Sequence, residues 1–295
     1  MMAKGTLNPS QNICNMDGEI TSLAENIAAR FSSLPQVLAV VLAGSQGSLV
    51  SDNLSDLDFY VYIAEEIPVE TRAEIARDFA ERFEINNLFW EPGDEWIHTQ
   101  SGRGIDIMYR STSWIEEQLD CVLVKHQAKV GYTTCFWFNV LHSLPLFDRM
   151  GWFEGLLQGA RQPYPDPLRK AIVAKNYPIL RKNISCYLHQ LELALERHDW
   201  ASINHRTAAL LASYFDIIFA VNSVPHPGEK RLVEFVKTLC QKSPCNFEEQ
   251  LESLLKATSV NAGHSDLLDR ANALIDRLDE FLIAEGLLTP SGELA

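Results

Sequence analysis

VLAVVLAGSQGSLVSDNLSDLDFYVYI, residues Val37–Ile63, is the stretch whose reading decides the fold. Val37–Leu42 is an unbroken apolar run rich in valine, the composition of a buried strand. It ends in Gly44-Ser45, passes through a polar loop, and resumes at Phe59–Ile63 as a second β-prone run. Asp56 and Asp58 stand at i and i+2 where that second run begins. Residues two apart in a strand point to the same face, roughly 6.5–7 Å apart along the chain, so the two carboxylates lie side by side.

Outward from this stretch the pattern divides in two. Residues 37–112 alternate β-prone runs with helix-like ones: Pro68–Phe83 carries Val69, Ile75, Phe79 and Phe83 among charges and reads as an amphipathic helix, whereas Ile85–Trp90 and Ile105–Tyr109 read as strands. Beyond residue 113 the apolar repeat is helical. Ile184, Tyr187, Leu188, Leu191 and Leu195 follow a 3.6-residue period, as do Leu210, Leu211, Tyr214, Phe215 and Ile218, and then Leu267, Leu268, Ala271, Leu274, Ile275, Leu278 and Phe281. Gln162–Pro167 has three alternating prolines, which resist both helix and strand and suit a linker. A small sheet-and-helix domain over residues 1–160 followed by a helical domain over 161–295 is the expected layout.

Composition sets the outer limits. The chain has 295 residues, of which 46% are hydrophobic and 22% charged, with a net charge of −14. No apolar run approaches the roughly 18–20 residues of a membrane span, and no apolar block follows Lys4, so a cytoplasmic protein without membrane partner is expected. The acidity is uneven: residues 1–150 hold ten basic against twenty-one acidic side chains, residues 151–295 fifteen against eighteen. Nucleic-acid partners ask for a basic face, so none is expected here, whereas an acidic first half steers a small cationic molecule. The six cysteines form no CxxC pair; they read as reduced, mostly core thiols rather than a zinc site. The sequence leaves monomer and homodimer equally open.

Two adjacent carboxylates repel, and a cation between them relieves the repulsion. Mg²⁺ suits, because it takes one or two carboxylates and fills its other positions with water and phosphate oxygens. Asp106, inside Gly104-Ile-Asp-Ile-Met-Tyr109, is a carboxylate in the middle of an apolar strand and needs a partner. If that strand lies beside the one bearing Asp58, three acids converge, and three acids around metal ions can clamp an attacking hydroxyl and a leaving pyrophosphate. Gly44 lets the backbone approach a ligand closely, and the neighbouring amides with the Ser45 hydroxyl can cradle phosphates. No Gly-Lys-Ser/Thr follows, so this is not a P-loop.

Gly44-Ser45, then Asp56-Leu-Asp58 eleven residues on, then Asp106 in a later strand, resembles the DNA polymerase β-like nucleotidyltransferase superfamily over residues 25–112. With a helical bundle following the core, the chain looks most like the bacterial aminoglycoside nucleotidyltransferases. The resemblance implies an α+β fold, with a short mixed sheet and flanking helices ahead of a C-terminal helical bundle. It implies Mg²⁺ on Asp56, Asp58 and Asp106, and ATP or another triphosphate held by Gly44 and Ser45. It implies transfer of a nucleoside monophosphate to a hydroxyl of a small acceptor, an aminoglycoside, with a lincosamide as alternative. A basic residue of the helical part, Lys230 here, is then expected to reach the triphosphate.

In the enzymes the chain resembles, a carboxylate near the metals serves as general base; here Asp106, Glu91 and Glu95 are the candidates. Glu91 and Glu95 belong to Trp90-Glu-Pro-Gly-Asp-Glu-Trp96, where a cationic sugar could also stack on Trp90 or Trp96 and pair with Asp94. The same segment also reads as an acidic turn around Pro92-Gly93. Tyr132-Thr-Thr-Cys-Phe-Trp137 reads as core packing ahead of an acceptor pocket. Two competing functions stay open in the sequence: a regulatory, antitoxin-type nucleotidyltransferase acting on a protein partner, and a catalytically silent nucleotide-binding module.

Overall fold

The computed structural model describes residues 18–43, 56–89, 91–259 and 264–295. The chain forms two compact units, Met1–Leu119 with Asn139–Gln162, and Asp120–Phe138 with Pro163–Ala295. The second boundary falls at the proline-rich segment, but residues 120–138 join the helical unit rather than the first one. Among the described residues no helix is long and apolar enough to cross a membrane.

The first unit is built on a six-stranded mixed sheet. From the N-terminus the elements run α1 (Gly18–Ser32), β1 (Val37–Ala43), β2 (Leu57–Ile63), α2 (Val69–Arg77), β3 (Ala80–Asn87), β4 (Gly93–His98), β5 (Gly104–Ser111), α3 (Thr112–Leu123), α4 (Cys135–His142), β6 (Leu144–Asp148) and α5 (Trp152–Ala160), with α3 and α4 straddling the division at residues 120–138. The strand order is β3-β4-β5-β2-β1-β6. Among the described strands only the β2–β5 pair is parallel. That pairing demands a crossover connection, and α2, β3 and β4 supply it.

One face of the sheet is a closed core. Leu57, Phe59, Val61 and Ile63 of β2, Ile105, Ile107 and Tyr109 of β5 and Trp96 of β4 pack on Ala24, Ile27, Ala28 and Phe31 of α1 and on Ile75 and Ala76 of α2. Each fully buried Leu, Ile or Phe contributes on the order of 1.5–3 kcal/mol. Arg149 locks α1 to β1 by donating to the carbonyls of Ser32, Leu34 and Val37 at 2.8–3.0 Å. Asp148 caps α5, accepting from the backbone amides of Phe153 and Glu154 at 2.9 Å.

Three elements differ from the sequence reading. The helix expected over Pro68–Phe83 stops at Arg77, and Ala80–Asn87 is a strand. Phe83 and Ile85 alternate with Arg82, Glu84 and Asn86 there, a period of two hidden inside a run that also satisfied a helical spacing. The segment with Pro92-Gly93 is no simple acidic turn, because Gly93–His98 forms β4. Leu144–Asp148 adds the edge strand β6 where helix was expected.

The second unit contains α6 (Asp166–Arg181), α7 (Tyr187–Glu196), α8 (Trp200–Val221), α9 (Leu232–Leu239), α10 (Phe247–Ala257) and α11 (His264–Ala284). Ile184 lies ahead of α7 and is 93% exposed, so it is not part of that helix's apolar stripe. Asp166 and Pro167 already belong to α6, whose first turn accepts proline because its N–H groups have no intrahelical partner.

This unit is pinned by a buried polar network. Asp216 on α8 accepts from the Thr133 amide at 3.1 Å, the Thr133 hydroxyl at 2.7 Å and Asn176 at 3.3 Å. Asn176 in turn accepts from the Gly131 amide and donates to the Lys129 carbonyl. The His226 amide donates to the Thr134 hydroxyl at 2.7 Å, and Trp137 packs on Tyr164. The Tyr132–Trp137 segment is thus committed to packing. The thiols are not mostly core: of the described ones Cys186 is buried, Cys245 exposed and the others intermediate.

Candidate active site

The site forms on the sheet face opposite α1 and α2. Strand alternation sends Asp58, Tyr60 and Tyr62 of β2, and Asp106, Met108 and Arg110 of β5, away from the apolar core. β5 lies directly beside β2, and the parallel register pairs Asp58 with Asp106. Across the next strand pair Asp106 stands opposite Glu95, and Glu95 opposite Glu84. Four acids from four neighbouring strands therefore form one row on one face, with Ala43 of β1 as the next partner of Asp58. Side chains in such pairs stand about 4.5–5.5 Å apart at Cβ, and like charges at that range repel.

Asp56 sits one residue ahead of β2 rather than inside it. Its carboxylate lies over Gly104, where an added Cβ would come within 2.2 Å of Asp56 Oδ1. Glycine at 104 is therefore what leaves Asp56 its place. A cleft of about 110 Å³ opens between β3, β4 and β5, lined by Asn87, Glu91, Glu95, Asp106 and Met108. Glu95 is exposed and accepts from Asn87 Nδ2 at 2.7 Å.

The other candidates separate. Both Glu91 oxygens are engaged by Arg110, Nε at 2.8 Å and an Nη at 2.9 Å. Asp94 points to the core face, where it accepts from the Tyr109 hydroxyl at 2.6 Å and the Asn86 amide at 2.8 Å and faces Arg72 at 3.5 Å. Burial raises the Asp94 carboxyl above its ordinary value against those three partners. Asp94 is thus a structural acid and pairs with no acceptor.

Trp96 is 1% exposed and stacked between Phe31 and Phe79, with centroids 6.3 and 6.2 Å away, so no sugar can stack on it. Lys230 belongs to the helical unit, exposed in the turn before α9; the helix opens at Leu232, and Arg231 before it is left-handed at φ 55°. Gly44, Ser45 and Trp90 lie outside the described residues.

No protein-family model matches the chain, and no curated protein matches it. Solved structures resemble it only loosely. A nucleotidyltransferase-like protein from Exiguobacterium sibiricum is 10% identical, with 90% of this chain and 76% of that one covered at a TM-score of 0.43. A Thermotoga maritima CCA-adding enzyme complexed with tRNA is 13% identical, covering 96% and 87% at a TM-score of 0.34. A CCA-adding enzyme in complex with ATP is 11% identical, covering 96% and 87% at 0.33. Likenesses this distant carry no argument about activity, so the chemistry rests on the residues themselves.

Among the described residues no group of three or more His, Cys, Asp or Glu is assembled around a point that could hold a metal ion. Mg²⁺ does not need three. The register pair Asp58–Asp106 offers hard oxygen donors from two carboxylates, which matches the demand of an ion that keeps water and phosphate in its other positions.

Sequence reasoning missed Arg110. An arginine at i+4 from Asp106 in an otherwise apolar strand has to find a buried anion, and that signal was present in Gly104–Ser111. It also missed Glu84, because Ala80–Asn87 did not read as a strand.

Proposed function

We propose that the chain is a Mg²⁺-dependent nucleotidyltransferase that moves AMP from ATP to a hydroxyl of a small cationic acceptor, an aminoglycoside. The observation that carries the reading is the register row Asp58–Asp106–Glu95 on the open face of three adjacent strands. Asp58 and Asp106 would hold the ion, with Asp56 beside them; bound there, Mg²⁺ supplies charge neutralisation for the phosphates and the leaving pyrophosphate.

The chain's own residues do the rest. Glu95 takes the proton of the acceptor hydroxyl, since it lies beside Asp106 in the cleft with one oxygen steadied by Asn87. Glu91 is held by Arg110 and Asp94 is buried on the other face, so neither competes for that role. The acceptor oxygen bonds to the α-phosphorus, the bond from that phosphorus to the bridging oxygen breaks, and pyrophosphate leaves. The acidic first half of the sequence raises the local concentration of a polycation before it binds.

The test is incubation with Mg²⁺, labelled ATP and a panel of aminoglycosides, reading pyrophosphate and a labelled antibiotic. No release with any member removes the acceptor assignment. Release that survives Glu95→Gln at full rate removes the assignment of the base.

A further inference from the structure

Arg110 is an arginine inside a sheet. Its side chain is 3% exposed and its guanidinium lies 3.5 Å from the centroid of the Tyr60 ring and 5.6 Å from that of Trp114. Stacking on two rings and a bidentate carboxylate offset the cost of burying that charge. The carboxylate belongs to Glu91, which is only half-buried and lines the cleft beside Glu95 and Asp106.

The backbone of this corner is also held by links that do not involve the ion pair. The Tyr109 amide already donates to the Pro92 carbonyl at 2.9 Å. Gly93 packs so closely on β5 that an added Cβ would meet the Ile107 carbonyl at 2.6 Å. Both links fix the backbone of residues 92–93 against β5. Apolar residues of similar volume often replace both partners of a buried ion pair at no loss, whereas removing one partner alone leaves the other charge unpaired. Among its contacts, Arg110 fixes the orientation of one cleft side chain, Glu91. An unpaired glutamate has three rotatable bonds, whereas a two-point grip from a stacked guanidinium leaves Glu91 a single pose.

We propose that Arg110 is a positioning residue for the acceptor. Through its grip on Glu91 it fixes one charged wall of the cleft, so that a cationic acceptor is presented to Glu95 rather than drawn to a mobile carboxylate. The inference rests on the transfer reading above. It also divides the labour of the two neighbouring glutamates: Glu91 orients, and Glu95 accepts the proton.

Two readouts test it. With Mg²⁺-ATP and the best acceptor of the aminoglycoside panel, Arg110→Met and Glu91→Gln should each lower kcat/KM for the acceptor by roughly 10- to 100-fold, the scale of a reactant misplaced by about 1 Å. KM for ATP should stay within about two-fold, and Arg110→Lys should recover part of the loss. The Arg110→Met/Glu91→Gln double variant, its folding checked by its melting transition, should be no worse than either single change, as two residues acting as one unit require.

The second readout needs no turnover. Mn²⁺ added in place of Mg²⁺ should broaden the carboxyl resonance of ¹³C-labelled Glu91 strongly in the wild type. In Arg110→Met the broadening should change, because the freed carboxylate samples other distances from the ion and the broadening averages as the inverse sixth power of distance. Broadening unchanged by Arg110→Met, or ATP and acceptor parameters falling together, overturns the inference. A wild type that neither releases pyrophosphate nor shows Mn²⁺ broadening removes the transfer reading, and this inference with it.

Discussion

Asp94 and Glu95 are neighbours on β4, and strand alternation sends them to opposite faces of the sheet. Asp94 enters the α1–α2 core and meets Tyr109, Asn86 and Arg72. Glu95 enters the row with Asp106 and Asp58 and borders the cleft. The core face encloses its acid with donors, while the other face sets Glu95 and Asp106 opposite each other in one register row. An acid in an apolar strand is thus no evidence of a site until its face is known. What marks a candidate site is like charge assembled in one register row, where a bound cation adds stabilisation.

The largest effect expected from this contrast is on the row. Asp58→Asn should lower transfer by about 10³-fold or more, since metal charge stabilisation is worth several kcal/mol and each 1.36 kcal/mol is a factor of ten. Its melting temperature should stay close to that of the wild type. Pyrophosphate release under saturating ATP measures the rate. A variant that keeps a tenth of the activity would make the row an accident of sheet geometry.

Asp94→Ala should do the reverse. It leaves Arg72 buried without its carboxylate and the Tyr109 hydroxyl without its acceptor. Breaking a buried pair from one side costs roughly 3–5 kcal/mol. The melting transition should fall by roughly 6–15 °C for a unit of this size, while the folded fraction keeps its turnover within a few-fold. If activity fell and stability held, the two faces would have exchanged roles.

A third acid in the helical unit extends the contrast. Asp216 is as buried as Asp94, but its partners are hydroxyl and amide donors rather than an arginine. Burial pushes its carboxyl up to about 7, against those donors. The folded chain therefore holds this proton at pH values where the unfolded chain, at an ordinary carboxylate value near 3.9, has released it. Its contribution to stability is greatest near pH 4, falls as the pH rises to 7, and is level above that. Urea midpoints between pH 4.5 and 7.5 should show the decline, and Asp216→Asn should flatten it by about 1–3 kcal/mol. A midpoint difference between the two proteins that does not change with pH would mean that Asp216 stays ionised throughout.

The legibility of these faces was unequal for physical reasons. Val37–Ile63 announced β1, β2 and Asp58 because buried strands and i, i+2 acids are local patterns. Asp106 was found because an acid between isoleucines is conspicuous, and its strand does lie beside β2. β4 was not seen as a strand, because Asp94 occupies a buried position that the apolar alternation reserves for a hydrophobe. Trp96 looked like a platform and is core, since a tryptophan in sequence does not declare its face. The grip of Arg110 on Glu91 spans nineteen residues and that of Asp216 on Thr133 eighty-three. No local period encodes such pairs. The long helices α8 and α11 were legible from their 3.6-residue stripes, but a stripe speaks of packing and not of chemistry.

The smallest effect is the sharpest test of the site face, because it adds one carbon atom without touching a charge. Gly104 has an ordinary strand conformation, so Gly104→Ala introduces no backbone strain. The new methyl occupies the place of the Asp56 carboxylate, which is exposed and can swing aside at little cost. Stability should change by less than about 0.5 kcal/mol, the usual range for a surface change. If Asp56 helps hold the ion, displacing it should weaken Mn²⁺ binding and lower kcat about 10-fold, or roughly 1.4 kcal/mol. Calorimetric Mn²⁺ titration and single-turnover transfer measure the two. Unchanged metal affinity in Gly104→Ala would take Asp56 out of the metal set and leave the Asp58–Asp106 register pair as its ligands among the described residues.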